Sequence, residues 1–155
     1  MEFAAKEDVE APLDQVFAEM SDFDMIERSV MRHGVEVQRK DPGCAPKEGS
    51  AWTAQFRFRG KTRDAAVTLT RYEPPQAMAF QTVSGGLEAQ TRIDLVALSR
   101  SRTRISLVVD LQPKTLSARL LVQSMKLARS NLSKKFQLRA ADYAKELEDR
   151  LKRRV

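Results

Sequence analysis

The sequence predicts an α+β fold in which a strongly curved antiparallel sheet wraps around a long C-terminal helix. Three observations support this prediction. Residues 114–155 contain neither Gly nor Pro, as expected of a long helix. Short segments of alternating apolar and polar residues precede them, separated by turns. A further strand and two short helical patterns open the chain. Its 155 residues fit one domain, residues 1–155, with one core.

The opening segment predicts one strand followed by two short helices. Phe3, Ala5 and Val9 alternate with polar residues, and Pro12 suits the first turn of a helix. Ser21 or Asp22 can cap the second helix. The apolar positions recur at helical spacing, at Leu13, Val16, Phe17 and Met20, and then at Phe23, Ile26 and Val30.

The middle of the chain reads as a series of strands. Val35 and Val37 begin one, and the others have apolar files that face a common side. These files are Trp52, Ala54, Phe56 and Phe58; Ala65, Val67 and Leu69; Met78, Phe80 and Thr82; every second residue from Leu87 to Leu95; and every second residue from Ile105 to Leu111. The connections leave no room for crossover helices, so the predicted sheet is antiparallel.

The C-terminal segment predicts one uninterrupted amphipathic helix. Its apolar stripe consists of Leu121, Met125, Ala128, Leu132, Phe136, Ala140, Tyr143, Leu147 and Leu151. We expect Leu116, Leu120, Leu127 and Leu138 to widen this stripe, which would cover the concave face of the sheet.

The single cysteine and the lack of a recognisable secretory or membrane-spanning pattern favour a cytoplasmic protein. Cys44 is the only cysteine, so no internal disulfide can form. The acidic N-terminus lacks the apolar core of a secretory signal, and no stretch reaches the roughly 18 apolar residues of a membrane span.

Charge is distributed unevenly along the chain. Residues 1–27 hold nine Asp/Glu and one Lys, whereas residues 114–155 hold twelve Lys/Arg and four Asp/Glu. The basic helix either exposes a solvated face or contacts an anionic partner such as a membrane surface. Nucleic acid is disfavoured, because Phe136 and Tyr143 lie on the packing stripe and are not free to stack on bases. The candidate basic patch is Lys126, Arg129, Lys134, Lys135 and Arg139.

No catalytic, metal or cofactor motif stands out. His33 is the only histidine and has no second ligand at metal-binding spacing. Cys44 lies in a loop between two prolines, and Gly85-Gly86 marks a hairpin turn and not a phosphate loop. We therefore predict no metal, no cofactor and no catalytic residue.

The chain contains five short motifs in a characteristic order: Glu10-Ala11-Pro12, Val16-Phe17, Ser21-Asp22-Phe23, Gly49-Ser50-Ala51-Trp52 and Tyr72-Glu73-Pro74-Pro75. They resemble the motifs of the START-like, Bet v 1-like (SRPBCC) superfamily, which includes polyketide cyclase/dehydrase and lipid-transport proteins. The resemblance covers nearly the whole chain. It implies a helix-grip fold with a cavity between the sheet and the C-terminal helix.

The inward strand files suggest which residues would line such a cavity. Glu7 is the notable one, because a carboxylate on an inward face requires a partner, for which Arg71 is the candidate, unless it lies exposed at the strand end. Thr82, Gln123 and Asn131 are further inward polar candidates. The alternative is that these side chains fill the interior completely. The predicted ligand-binding residues are Glu7, Trp52, Phe56, Phe58, Val67, Leu69, Arg71, Met78, Phe80, Thr91, Ile93, Leu107 and Met125.

These features favour a binding or carrier protein for a small hydrophobic molecule, such as a lipid, a quinone or a polyketide-like compound. Two alternatives stay open. One is a polyketide cyclase or aromatase-like enzyme that uses the same cavity. The other is a module that docks on a membrane or a protein through the basic C-terminal helix.

Overall fold

The computed structural model describes residues 1–154. The chain folds into seven strands and four helices over this range. The N-terminal elements are β1 (Glu2–Val9), α1 (Leu13–Met20), α2 (Phe23–Arg32) and β2 (Glu36–Arg39). The remaining strands are β3 (Ala51–Phe58), β4 (Lys61–Glu73), β5 (Ala77–Ser84), β6 (Leu87–Ser99) and β7 (Arg102–Pro113), followed by α3 (Leu116–Leu127) and α4 (Arg129–Arg153).

All seven strands form one antiparallel, curved sheet in the order β1-β7-β6-β5-β4-β3-β2. Consecutive strands from β2 to β7 are neighbours, as short hairpin connections require. The first strand closes the other edge by pairing with the last, from Glu2 opposite Asp110 to Val9 opposite Thr103. The predicted α+β fold with a curved sheet and C-terminal helical segment is confirmed.

The core lies between the sheet, α1 and the C-terminal half of α4. Its fully buried side chains include Val9, Val16, Leu69, Met78 and Leu147. Glu19 of α1 is the one buried charged residue within the described range, and it accepts a hydrogen bond from Arg150 Nε of α4 at 3.0 Å. Arg154 also pairs with this carboxylate. Two cations thus compensate one buried anion and join the two helices.

The prediction of one uninterrupted C-terminal helix is wrong at Ala128. This residue leaves the helical region (φ −111°, ψ 21°). Its N–H donates to the carbonyl of Met125 at 3.0 Å, which tightens and ends α3, whereas its own carbonyl accepts from Leu132 and starts α4. No Gly or Pro marks the position, so the break has no local signal.

The four leucines expected to widen the packing stripe are exposed instead. Leu116 is 72% exposed, Leu120 63%, Leu127 91% and Leu138 64%. On α3 the buried side is formed by Ala118 and Val122. Helical geometry places Leu116, Leu120 and Leu127 on the opposite side of α3. Within residues 1–154, no helix is long and apolar enough to cross a lipid bilayer.

Candidate ligand-binding cavity

A cavity of about 690 Å³ lies between the concave face of the sheet and helices α2 and α4. Its wall is almost entirely apolar. Every strand contributes to it, through Ala5, Glu7, Val37, Trp52, Ala54, Val67, Phe80, Ile93, Ile105 and Leu107. The helices and the loop before β2 complete it with Met20, Phe23, Ile26, Glu27, Val30, Val35, Phe136, Arg139, Ala140, Tyr143 and Ala144.

Aromatic side chains form one part of this wall. The ring of Phe23 lies edge-on to Trp52, with centroids 5.1 Å apart, and edge-on to Phe80 at 6.2 Å. Trp52 and Phe80 are 6.4 Å apart, so the three rings contact one another. Such edge-to-face arrangements are the favoured geometry for aromatic pairs. The three rings therefore brace α2 against β3 and β5 and give this part of the cavity a fixed shape.

Four polar side chains interrupt the apolar wall, and they differ in their surroundings. Glu27 is paired with Arg39, which also donates to Asp24 Oδ1 at 2.8 Å. Among residues 1–154, neither the Glu7 carboxylate nor the Arg139 guanidinium has a hydrogen-bond or ion-pair partner. Their charged groups are thus available to a ligand or to water.

The fourth polar group is the phenol of Tyr143 on α4. Burial raises the pKa of Tyr143 above its usual value. The hydroxyl consequently stays protonated at neutral pH, and it can donate a hydrogen bond to a polar atom of a bound molecule.

Six of the thirteen predicted ligand-binding residues line the cavity. They are Glu7, Trp52, Val67, Phe80, Ile93 and Leu107. Leu69 and Met78 are fully buried in the core, away from the cavity wall. Phe56, Thr91 and Met125 are half-buried and do not line the cavity. Of the other inward polar candidates, Thr82 is half-buried and lies outside the wall, and Gln123 and Asn131 are exposed.

Arg71 faces away from the cavity because of a β-bulge. The register of β4 on β5 shifts between Leu69, opposite Phe80, and Arg71, opposite Ala79. One extra residue reverses which side chains point inward. Arg71 is therefore exposed and donates to Glu73 Oε2 at 2.7 Å, so the expected pairing with Glu7 does not form. Glu73 holds the pKa of Arg71 above its usual value.

Phe58 lies at the tip of the β3–β4 hairpin, beyond the cover of the helices. It is 42% exposed. The guanidinium groups of Arg59 and Arg63 each lie 5.4 Å from its ring centroid. These cation–π contacts stabilise the ring in its exposed position outside the core. The alternation that placed Phe58 with Trp52 therefore ends at the hairpin tip.

The cavity residues that the strand pattern missed come mainly from the helices. Phe23, Ile26, Glu27 and Val30 occupy one face of α2 at spacings of three and four residues. Phe136, Ala140, Tyr143 and Ala144 occupy the inward face of α4. The helical periodicity identifies both faces. It does not give the distance between these helix faces and the sheet, which decides whether a cavity remains between them.

The residues weighed for other chemistry lie apart from the cavity. His33 is exposed at the end of α2, with Nδ1 2.8 Å from the carbonyl of Ser29. Cys44 is exposed in the β2–β3 loop. Within the described part of the chain, no three His, Cys, Asp or Glu side chains converge in a way that could hold a metal ion.

Comparison with known proteins identifies the fold. No protein-family model matches the sequence, and no curated protein is significantly similar to it. Solved structures are similar in three dimensions. An aromatase/cyclase from a Streptomyces species superposes with a TM-score of 0.61 at 15% identity, covering 97% of this chain and 95% of that one.

Two further structures are similar over most of the chain. The structure of Ara h 8.0201 has a TM-score of 0.58 at 12% identity, covering 83% of this chain and 91% of that one. An HSP90 activator from Plasmodium falciparum has a TM-score of 0.53 at 14% identity, covering 74% of this chain and 76% of that one. The chain therefore has the helix-grip fold of the SRPBCC, Bet v 1-like proteins.

Proposed function

We propose that this protein binds a small hydrophobic molecule in the cavity between the sheet and α4, and acts as a carrier or sensor for it. The observation that carries this proposal is the cavity itself, with its volume of about 690 Å³ and its nearly continuous apolar wall. Ligand pockets typically measure roughly 300–1,000 Å³ and are lined mainly by apolar and aromatic side chains.

The wall chemistry favours a ligand with a largely hydrocarbon or aromatic body. A lipid, a quinone or a polyketide-like compound meets this requirement. Glu7, Arg139 and Tyr143 offer a carboxylate, a guanidinium and a hydroxyl to orient a polar end. A few such groups in an apolar pocket fix orientation, and burial of the apolar body supplies most of the affinity.

A matched pair of alanine substitutions tests cavity binding. Ala54 lines the cavity, whereas Ala66 on the neighbouring strand is exposed on the other face of the sheet. Ala54→Phe should displace apolar molecules that co-purify with the protein, and Ala66→Phe should leave them bound. Native mass spectrometry of protein isolated from its own host measures both. Equal occupancy in the two variants, or no bound molecule in the parent protein, would contradict the proposal.

A catalytic role in the same cavity is the second candidate, and one observation favours it. Glu7 places an unpaired carboxylate on the cavity wall, where it could act as a general base on a bound polyketide-like chain. Incubation of such a compound with the parent protein and with Glu7→Gln separates the two functions. A carrier returns the compound unchanged from both proteins. An enzyme converts it, and Glu7→Gln does not.

A further inference from the structure

We propose that the outward leucines of α3 and α4 dock this protein on an anionic membrane surface. The leucine face, as we define it, consists of Leu116, Leu120, Leu127 and Leu138. Each is more than half exposed, although leucine is among the residues most often buried in proteins. Exposed large apolar side chains on one side of α3, with a further exposed leucine on α4, mark an interaction surface.

The leucine face is a regular feature of α3. Leu116 and Leu120 are one helical turn apart, and Leu127 follows two turns after Leu120, so all three share one side. The opposite side of α3, with Ala118 and Val122, is buried against the rest of the protein. The helix is thus apolar on both sides, and only one side has a partner within residues 1–154.

The charge around the leucine face is predominantly positive, and the exposed Asp142, one turn beyond Leu138 on α4, is the first carboxylate along the helix. Residues 111–141 contain no Asp or Glu, and they contain seven Lys/Arg. Arg119 and Lys126 flank the leucines on α3, and Lys134 and Lys135 flank Leu138 on α4; all four are exposed. Apolar side chains bordered mainly by Lys and Arg are typical of helices that lie in the interface of an anionic bilayer.

A second basic element lies at the same end of the sheet as the beginning of α3. The tip of the β3–β4 hairpin carries Arg57, Arg59, Lys61 and Arg63, and the guanidinium groups of Arg59 and Arg63 lie over the exposed ring of Phe58. Ser84 Oγ at the end of β5 donates to the carbonyl of Asp64 at 2.8 Å. The N–H of Lys114 donates to the carbonyl of Gly86 at 2.7 Å. These bonds connect the hairpin, the β5–β6 turn and α3 at one end of the sheet.

The charge pattern favours an anionic membrane over a second copy of this chain and over nucleic acid. A second copy of this chain would present the same basic helices, and a two-fold contact would bring like charges together. Nucleic acid attracts Lys and Arg, but it offers no apolar surface for four leucines. An anionic bilayer satisfies both features, because its head groups pair with the cations and its acyl chains accept the leucines.

This inference goes beyond ligand binding and does not depend on it, although the two sites share a helix. Phe136, Arg139 and Ala140 of α4 line the cavity, and Leu138 lies between them on the outward side. Docking through α4 would hold the cavity close to the bilayer, which is a source of apolar molecules.

Vesicle sedimentation of the full chain, without added ligand, tests the docking surface. The vesicles contain phosphatidylcholine alone or with about 30% phosphatidylglycerol. The parent protein should sediment with the anionic vesicles only, and raising salt from about 0.1 M to about 0.5 M should weaken binding several-fold. Leu120→Glu with Leu127→Glu should weaken it about tenfold or more, since both changes remove apolar contact and add like charge.

A matched control adds two carboxylates to exposed apolar residues elsewhere. Val96 and Leu98 of β6 are 55% and 43% exposed. Val96→Glu with Leu98→Glu should bind anionic vesicles within about twofold of the parent protein. Leu127→Glu alone provides a milder variant if the double variant unfolds, because Leu127 is almost fully exposed.

Three results would overturn the proposal. The first is equal sedimentation with both vesicle types or with neither. The second is an equal loss in the leucine and control variants. The third is a dimer of the parent protein in solution that the leucine substitutions dissociate, which would make this face a self-interface. Because no cavity ligand is used, failure here leaves the proposed ligand binding untouched.

Discussion

At the residue scale, Glu148 connects the C-terminal helix to the first strand. Its Oε2 accepts a hydrogen bond from the backbone N–H of Glu10 at 2.8 Å, and Lys152 Nζ lies 3.4 Å from Oε1. The bond from the Glu10 N–H lowers the pKa of Glu148 below its usual value, burial opposes this effect, and Lys152 adds to it. The ionised carboxylate therefore stabilises the folded protein.

We predict that Glu148→Gln lowers the free energy of unfolding by about 1 kcal/mol at neutral pH, a modest value because the site is partly solvated. A carboxyl group whose pKa is depressed by folding contributes stability above its unfolded pKa of about 4.3, and this contribution disappears as pH falls through the lower folded value. Urea unfolding at several pH values measures the difference between parent and variant.

The control for Glu148 is Asp149→Asn, which removes an exposed carboxylate on the same helix. It should change the free energy of unfolding by about 0.5 kcal/mol or less at every pH. A difference between Glu148→Gln and the parent protein that stays constant or grows as the solution is acidified would show that the carboxylate does not stabilise the fold.

At the element scale, the C-terminal helical segment has one buried side and one exposed side, and equal substitutions should distinguish them. Leu147 is fully buried in the core, whereas Leu138 is exposed on the same helix. Leu147→Ala should cost roughly 2–5 kcal/mol through lost burial and cavity formation. Leu138→Ala should cost about 0.5 kcal/mol or less. Denaturant unfolding measures both, and similar losses would mean that the assigned orientation of α4 is wrong.

The start of α3 depends on close approach to the β5–β6 turn at Gly86. A Cβ atom at Gly86 would lie 2.0 Å from Thr115 Oγ1 and 2.6 Å from Thr115 Cβ. Thr115 also caps α3 by accepting from the N–H of Ala118 at 3.2 Å. A methyl group at Gly86 therefore either displaces the cap or moves the helix.

We predict that Gly86→Ala destabilises the protein by about 1–3 kcal/mol, the typical cost of overpacking. Gly43 is the control, since a Cβ at that position meets nothing within 4 Å. Gly43→Ala should be nearly neutral in thermal unfolding. A melting temperature for Gly86→Ala equal to that of the parent protein would show that α3 is not held against this turn.

The elements were largely predictable because each has a local signal. Alternation identified the strands, and Asp22 caps α2 as expected, accepting from the N–H of Met25 at 3.2 Å. The break at Ala128 and the bulge at Leu69 have no such signal, since neither involves Gly or Pro. Both depend on how distant segments pack. The bulge alone explains why Arg71, which was predicted to line the cavity, lies on the surface.

At the scale of the whole molecule, the helices and the sheet together determine whether the interior is filled. The predicted inward files are those that face α4, and six of the thirteen predicted ligand-binding residues line the cavity. Sequence periodicity shows which way Val67 or Phe80 points, but not how far α4 stands from the sheet. The packing of Phe3 of β1 against Phe136 of α4, with ring centroids 5.8 Å apart, contributes to that separation, and the contact of Phe23 with Trp52 positions α2 in the same way.

The single tryptophan gives direct access to this cavity. Trp52 is the only Trp in the chain, it is buried, and it lines the cavity. A fluorescent apolar ligand that enters the cavity will therefore lie close to the one indole of the protein. Energy transfer from that indole reports dye bound near it, and the Ala54→Phe and Ala66→Phe pair separates cavity binding from adsorption on the surface.

The most direct test of cavity binding is titration of the folded protein with 1-anilinonaphthalene-8-sulfonate, with excitation of Trp52. Cavity binding predicts saturable quenching of Trp52 emission at micromolar dye with matching sensitised dye emission. Ala54→Phe should weaken binding about tenfold or more, and Ala66→Phe should leave it within about twofold of the parent protein. Absence of saturable energy transfer, or equal transfer in both variants, would contradict ligand binding in the helix-grip cavity.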